Sequence, residues 1–307
     1  VDGYVDTDSR KIAPGDVFVA KPGEATDGHN FVGAARDAGA ALALVEREVD
    51  VAIPQIVVTD VVAAIAELAR DVVARVRAGG ELRVIGITGS NGKTTTKNML
   101  RRILEDEGET VAPIASYNNA VGAPLTMLRV RESTKYLICE LGADAPGQIA
   151  RLAGLVTPDV GVVLMVGLSH AGGFGGIEHT ARAKRELIEQ VRPGGVAVLN
   201  ADDHRVAAMA STAEERGLTV RRFGESDAAD VRASSIVVSA SGTDSVLDID
   251  GSRLPLHLRV LGAHHVKNAM AALTAAIALG VEPAAAVARL ETIELAERWR
   301  MQVMGSE

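Results

Sequence analysis

The chain has 307 residues, long enough for two domains with cores of their own. Its 47% apolar and 23% charged residues are ordinary for a globular protein, and with aromatics at 3% the interior must be filled by Ala, Val and Leu. A formal net charge of −8 argues against a nucleic-acid backbone as partner. No apolar stretch reaches the about 18 residues of a membrane span, and no secretory signal is visible. The single cysteine, Cys139, excludes an intramolecular disulfide and fits a reducing cytosol. It sits in the run YLICEL, where a thiol acts as a small inert core group. The chain begins at Val1 without a methionine, so its natural N-terminus is expected to lie upstream.

The first 80 or so residues carry the pattern of a compact α/β unit. DVFVA (16–20), ALALVE (41–46) and PQIVVTD (54–60) read as strands. A helix is expected over 31–38, and a longer amphipathic one over 61–76. Ala78-Gly79-Gly80 then interrupts helical periodicity and marks a domain junction. Beyond it, strands at 83–88, 136–141, 159–166 and 196–200 alternate with helices at 94–107, 146–154 and 178–191. Such alternation implies a parallel sheet covered on both faces. From 220 to 261, short alternating strands with Gly and Ser turns suggest an antiparallel extension, followed by helices over 265–279 and 283–290.

Residues 83–96, RVIGITGSNGKTTT, predict a buried strand, a phosphate-cradling turn and a helix N-terminus in succession. Gly89 and Gly92 permit positive φ and close backbone approach to an anion. Ser90, Asn91, Thr95 and the helix start supply the surrounding donors and the positive end of a helix dipole. Lys93 places a charge where β- and γ-phosphates would lie, and the Thr94 hydroxyl could reach Mg²⁺. The glycine spacing is shorter than in the commonest phosphate loop, since Ile87 stands where G-x-x-x-x-G-K-T needs glycine. With no N-K-x-D guanine-reading element, the loop points away from GTPases and motor ATPases, towards another kind of nucleotide triphosphate site.

Ligands of open parallel sheets gather beyond the carboxyl ends of the strands. Those ends here carry the phosphate loop, Glu140, His170 in a Gly-rich loop, and Asn200 with Asp202 and Asp203. Any one of them read alone suits a capping or turn role; beside the phosphate loop, the four together favour a nucleotide–metal site. Glu140 is the natural carboxylate for Mg²⁺, and His170 is either a second metal ligand or a phosphate-side donor. On residue type alone, Lys184 in TARAKREL reads as a surface lysine, and Asn268 in HHVKN as a helix-opening cap.

The chain resembles the Mur ligases, ATP-dependent amide-forming enzymes of peptidoglycan precursor synthesis. The resemblance rests on TDSRKIAPGDVFVAKPGEATDGHNFV, ITGSNGKTTTKNML, YNNAVGAPLTML, CELGADAPGQI, SHAGGFGGIEHTARAKREL, VLNADD and LGAHHVKNAMAAL, in the family's order and over nearly the whole chain. The phosphate loop marks only the superfamily. YNN-x-x-G-x-PLT and SH-x(3)-FGG-x-E-x(4)-AK favour the branch that adds D-alanyl-D-alanine to UDP-N-acetylmuramoyl-tripeptide. The alternatives are the diaminopimelate- or lysine-adding branch, a folylpolyglutamate synthase, or a non-catalytic fragment that only binds nucleotide or UDP-sugar.

The resemblance implies an α/β fold with a small N-terminal substrate domain (1–79). A P-loop central ATPase domain with a mostly parallel sheet (80–297) and the start of a linker (298–307) would follow. It implies a cytoplasmic monomer that uses ATP and two Mg²⁺ ions to phosphorylate the peptide carboxylate, the acyl phosphate then being attacked by the amine of D-alanyl-D-alanine. Lys93 would hold the ATP phosphates, Thr94 and Glu140 the first Mg²⁺, and His170 the second. Lys184 matches the lysine carbamylated in this family to support that second metal. Asn268 matches the adenine-contacting asparagine, and Arg300 the arginine near the ribose and phosphates. Ser9 and Arg10, with His29, Asn30 and Phe31 nearby, would meet the uridine diphosphate end, and Asn118 and Asn119 the muramoyl-peptide.

Two departures touch the rim of the peptide site: Ala120 replaces the acid usual in NNE-I-G, and the loop after His170 has Ala171, Gly172 and Gly176 in place of Leu, Glu and Ser. The family's third, Rossmann-like domain would begin just after RWRM, whereas this sequence stops at Glu307. A truncated form is therefore expected, one that binds nucleotide and UDP-substrate but turns over little.

Overall fold

The structure is a computed structural model, and it describes residues 3–23, 26–114, 117–167 and 176–293. The N-terminal unit is a four-stranded, all-parallel sheet in the order β1 (Val5–Asp6), β2 (Val17–Val19), β3 (Leu42–Val45), β4 (Gln55–Val57). Helix α1 (Val32–Asp37) packs on it through Val32 and Ala35, which are fully buried with Phe18 and Val45.

Helix α2 (Val61–Gly79) joins this unit to the rest of the chain. Asp60 starts it by accepting from the Val62 and Ala63 amides, which satisfies two of the unpaired donors of the first turn. Its apolar stripe divides between two cores. Val61 and Ile65 pack with Val19 and Leu44 of the first sheet, while Ala69 and Val73 pack with Leu82, Val84 and Met127 of the second. Each large side chain so buried contributes about 1.5–3 kcal/mol, so one helix anchors both units.

The larger sheet has nine strands among the described residues, in the order β13-β12-β11-β10-β9-β8-β5-β7-β6. They are β5 (Arg83–Thr88), β6 (Thr110–Val111), β7 (Tyr136–Glu140), β8 (Val160–Val163), β9 (Val196–Asn200), β10 (Thr219–Gly224), β11 (Val231–Ser239), β12 (Gly242–Ile249) and β13 (Ser252–Leu258). Strand β5 is central and covered on both faces, which is why Val84, Ile85 and Ile87 form an unbroken apolar run with no exposure. The helices are α3 (Lys93–Leu104), α4 (Gly122–Met127), α5 (Gln148–Gly154), α6 (Ile177–Gln190), α7 (His204–Ala207), α8 (Ala210–Glu215), α9 (Ala263–Ala278) and α10 (Pro283–Leu290). No described helix is long and apolar enough to cross a membrane.

The parallel part of the sheet extends further than expected. Strand β10 runs parallel to both β9 and β11, and the antiparallel pairing is confined to β11–β12–β13. Strand β8 ends at Val163 rather than 166, and β6, α4, α7 and α8 were not anticipated. Their sequences are too short for a period to register.

Two glycines set how closely α6 approaches the sheet. Gly86 of β5 and Gly161 of β8 are partners in register. A Cβ on Gly86 would lie 2.8 Å from Leu187 Cδ1, and one on Gly161 2.6 Å from Val191 Cγ2. The helix face carrying Thr180, Ala183, Lys184 and Leu187 is thereby pressed inward, and Lys184 is 4% exposed.

Candidate active site

The phosphate loop leaves β5 at Thr88 and enters α3 at Lys93. Gly92 has φ +85° and caps the helix, a backbone state that costs an L residue about 1–2 kcal/mol. Lys93 curls back over the loop and donates from Nζ to the Gly89 carbonyl at 2.7 Å. Ser90 clasps the loop to the β8 side: its Oγ accepts from the Gly167 amide at 2.8 Å. The 12-residue helix behind this loop presents its first-turn amides and positive dipole end at the same place.

A buried polar cluster lies directly beneath. Glu140, at the carboxyl end of β7, is 1% exposed. Its Oε1 accepts from Thr94 Oγ1 at 3.2 Å and from Asn118 Nδ2 at 3.0 Å, while Oε2 is buried without a hydrogen-bond partner. A buried, unsatisfied carboxylate oxygen is costly unless a cation or donor meets it. The donor set is a hydroxyl and a carboxylate beside a phosphate cradle, which fits Mg²⁺, a hard cation that keeps few protein ligands and fills its sphere with water and phosphate oxygens. Among the described residues, no group of three His, Cys, Asp or Glu side chains gathers.

The loop is the wall between two cavities. One, of about 440 Å³, is lined by Gly89, Ser90, Lys93, Asn118, Asn119, Ala120, Asp144, Arg151 and Lys184 among others. The other, of about 220 Å³, is lined on the opposite side by Asn91, Gly92, Thr95, Met165, Phe223, His265 and Asn268 among others. Lys184 is thus not the surface residue its type suggests. Burial pushes its pKa down to about 8, and the positive charge of Lys93 adds to the effect. Asn268 is not a cap either, since α9 starts at Ala263 and Asn268 lies in its second turn. Its Oδ1 accepts from Thr96 Oγ1 at 3.4 Å and stands where a Cβ on Gly92 would fall.

The remaining expected residues divide. Asn118 is half-buried against Glu140, and its carbonyl accepts from the Gly142 amide. Asn119 is exposed, and its Oδ1 accepts from the Val121 and Gly122 amides at the start of α4. In the N-terminal unit, Arg10 is exposed and forked onto Asp8 by two 2.8 Å bonds, which hold the Asp8 carboxyl down at about 2. Ser9 lies beside it in the same short helical turn, and Asn30 and Phe31 are exposed. His29 is buried and fully engaged inside its own unit: Nε2 accepts from the Glu46 amide at 2.9 Å, so Nδ1 carries the proton donated to Asp27 at 2.6 Å. It buttresses the neighbouring surface from behind. His170 and Arg300 lie outside the described residues.

Several lining residues carried no expectation, notably Arg151, Asp144, Met165, Phe223 and His265. The available signal was HHVKN itself, which puts His264, His265 and Asn268 within one turn of a helix. The buried His265 ring is pushed down to about 4 by desolvation and by its neighbour His264, so it is neutral at physiological pH.

Comparison with known proteins agrees with this layout. Residues 87–276 match the Mur ligase middle domain, and residues 4–80 match the Mur ligase family catalytic domain. The UDP-N-acetylmuramoyl-tripeptide–D-alanyl-D-alanine ligase of Mycobacterium leprae is 38% identical, over 99% of this chain and 64% of its own length. Its Mycobacterium tuberculosis counterpart is 40% identical, over 99% of this chain and 62% of its own. A crystal structure of MurF from Acinetobacter baumannii superposes with a TM-score of 0.85 at 35% identity, over 94% of this chain and 62% of that one. MurF ligase from Thermotoga maritima, solved in complex with ADP, gives 0.81 at 28%, over 95% and 66%. The chain thus spans a little under two thirds of the curated relatives it matches. With a family domain matched over more than half its length and relatives of this identity, the chain belongs to the Mur ligase family.

Proposed function

We propose that this chain is the substrate- and nucleotide-binding part of an ATP-dependent ligase that joins D-alanyl-D-alanine to UDP-N-acetylmuramoyl-tripeptide, acting as a cytoplasmic monomer. The observation that carries the reading is the buried Glu140, with Thr94 and Asn118 on one oxygen and nothing on the other, and with Asn118 itself lining one cavity together with Lys93 and Lys184. The named relatives and the ADP complex of the Thermotoga protein support it from outside the chain.

In this reading residues 1–79 hold the uridine diphosphate end, through the half-buried Ser9 and the exposed Arg10, Asn30 and Phe31, with His29 bracing them. Residues 80–297 hold ATP and the peptide. The base would occupy the smaller cavity against Asn268, with Arg300 serving the ribose and phosphates. The loop amides of Gly89 to Thr95 and the Lys93 ammonium would take the phosphates. Lys93 offsets the repulsion between the γ-phosphate and the peptide carboxylate that attacks it. The resulting acyl phosphate gives the amine of D-alanyl-D-alanine a leaving group that a bare carboxylate lacks. Asn118 and Asn119 would line the peptide's path, and holding both partners in line is the larger share of the work.

Mg²⁺, when bound by Thr94 and Glu140 and, for a second ion, His170, supplies charge neutralisation at the phosphates. Lys184 suits carbamylation because burial keeps part of its amine neutral near physiological pH. The neutral nitrogen bonds to the carbon of CO₂ and releases its proton to solvent, which leaves a carboxylate-like group where a cation stood.

The test is titration of the 307-residue chain and its Glu140→Gln variant with ATP, with and without Mg²⁺, and with UDP-N-acetylmuramoyl-tripeptide and -dipeptide. The expected result is Mg²⁺-dependent ATP binding that the variant loses by about tenfold or more, and preference for the tripeptide. Preference for the dipeptide, or Mg²⁺-ATP binding indifferent to Glu140, would sink the proposal.

A further inference from the structure

The larger cavity contains one cation that the scheme above leaves without a task. Arg151 stands on α5 as an exposed lining residue. Its guanidinium has no hydrogen-bond or ion-pair partner among the described residues. Two polar side chains at α5 are engaged by local backbone amides. Glu186 of α6 uses Oε1 on the Gly147 amide at 2.7 Å and Oε2 on the Ala150 amide at 3.0 Å. Gln148 accepts from the Asp144 amide at 2.9 Å.

Charge sharpens the point. Among the described residues that line the cavity, Lys93, Arg151 and Lys184 stand against one carboxylate, Asp144. Two of these cations have assigned work, on the phosphates and on the metal side. The third comes from a different wall, and on that wall Glu186 closes the helix's own amides, so α5 offers an incoming anion the guanidinium and the side-chain amide of Gln148, which lines the same cavity. A guanidinium's planar fork matches a carboxylate bidentately. The same cavity is bordered by Asn119 and Ala120, whereas the nucleobase side of the loop is a separate cavity.

We propose that Arg151 is a specificity-determining residue that binds a second carboxylate of the acyl-donor peptide, distinct from the terminal one that is phosphorylated. The inference rests on the assignment of this cavity to the peptide substrate. It makes the charge pattern along the peptide, and not only its length, part of what the enzyme selects.

The experiment is calorimetric titration of the unaltered chain, Arg151→Met and Arg151→Lys. The ligands are UDP-N-acetylmuramoyl-tripeptide, the same compound with its non-terminal peptide carboxylates amidated, UDP-N-acetylmuramic acid and Mg²⁺-ATP. Arg151→Met is expected to weaken the tripeptide ligand about ten- to a hundredfold, as loss of a charge-assisted pair does, and Arg151→Lys less. The amidated ligand should bind the unaltered and Met chains alike, and UDP-N-acetylmuramic acid and Mg²⁺-ATP should be unaffected. Equal tripeptide binding by Arg151→Met overturns the inference alone, and so does a matching loss for Mg²⁺-ATP, which makes Arg151 a phosphate contact. If the unaltered chain binds the tripeptide compound no better than UDP-N-acetylmuramic acid, the peptide-site assignment falls and this inference with it.

Discussion

Asn268 and Gly92 meet although 176 residues separate them: the amide oxygen of Asn268 occupies the place where a Cβ on Gly92 would be, 2.3 Å from it. Helix α9 therefore packs against the phosphate loop so closely that only glycine fits, and the same contact sets the side chain at the edge of the smaller cavity. The geometry of the loop and the edge of the smaller cavity are one arrangement.

Gly92→Ala should suffer twice, from φ +85° and from collision with Asn268. Together these should cost about 2–4 kcal/mol and abolish ATP binding. Denaturant melts and titration of ATP check this. Because the two residues touch, adding Asn268→Ala should return part of the lost stability; strictly additive effects would show that the collision is not what Gly92 avoids.

Lys184 makes stability depend on pH in a direction that can be worked out. Its pKa is near 8 when folded against 10.5 when unfolded, so between those values the unfolded chain holds more protons and stability rises with pH. Below pH 8 the buried ammonium carries its full cost, about 3 kcal/mol by linkage. Urea melts from pH 7 to 10.5, in bicarbonate-free buffer, should show Lys184→Met more stable than the unaltered chain at pH 7 and the gap closing by pH 10.5. A gap that stays constant over that range would refute the burial argument.

His29 should matter to folding of the N-terminal unit rather than to ligand chemistry. Removing it in His29→Ala leaves the Glu46 amide without its acceptor and opens a void in a core position, a loss of about 2–4 kcal/mol. His29→Gln should recover part of this by accepting from the same amide. Melting followed by titration of UDP-N-acetylmuramic acid on the folded fraction separates the roles: the folded fraction of either variant should bind with undiminished affinity.

Much of this protein could be read from local pattern. The alternation of β-branched runs with amphipathic segments places β5, β7 and β9, and the shortened glycine spacing with Lys-Thr marks the phosphate loop before any packing is known. Lys184 was legible too, though residue type hid it. Thr180, Ala183, Lys184, Leu187 and Ile188 recur at helical spacing on one buried stripe of α6, so the period already put the lysine inside.

What the chain determines by itself is which of its longer segments become strands, helices and the phosphate turn, because hydrophobic period, caps and glycine freedom act over a few residues. Which groups meet is decided only by the tertiary fold. Glu140 gains Thr94 and Asn118, Gly92 gains Asn268, His29 turns inward to Asp27 and the Glu46 amide, and β10 joins the parallel sheet rather than the hairpins after it. Such pairings depend on the order of strands and on how closely helices lie on them. Here the register-paired Gly86 and Gly161 set that closeness for α6, bringing a lysine that looks like surface into the wall of the site.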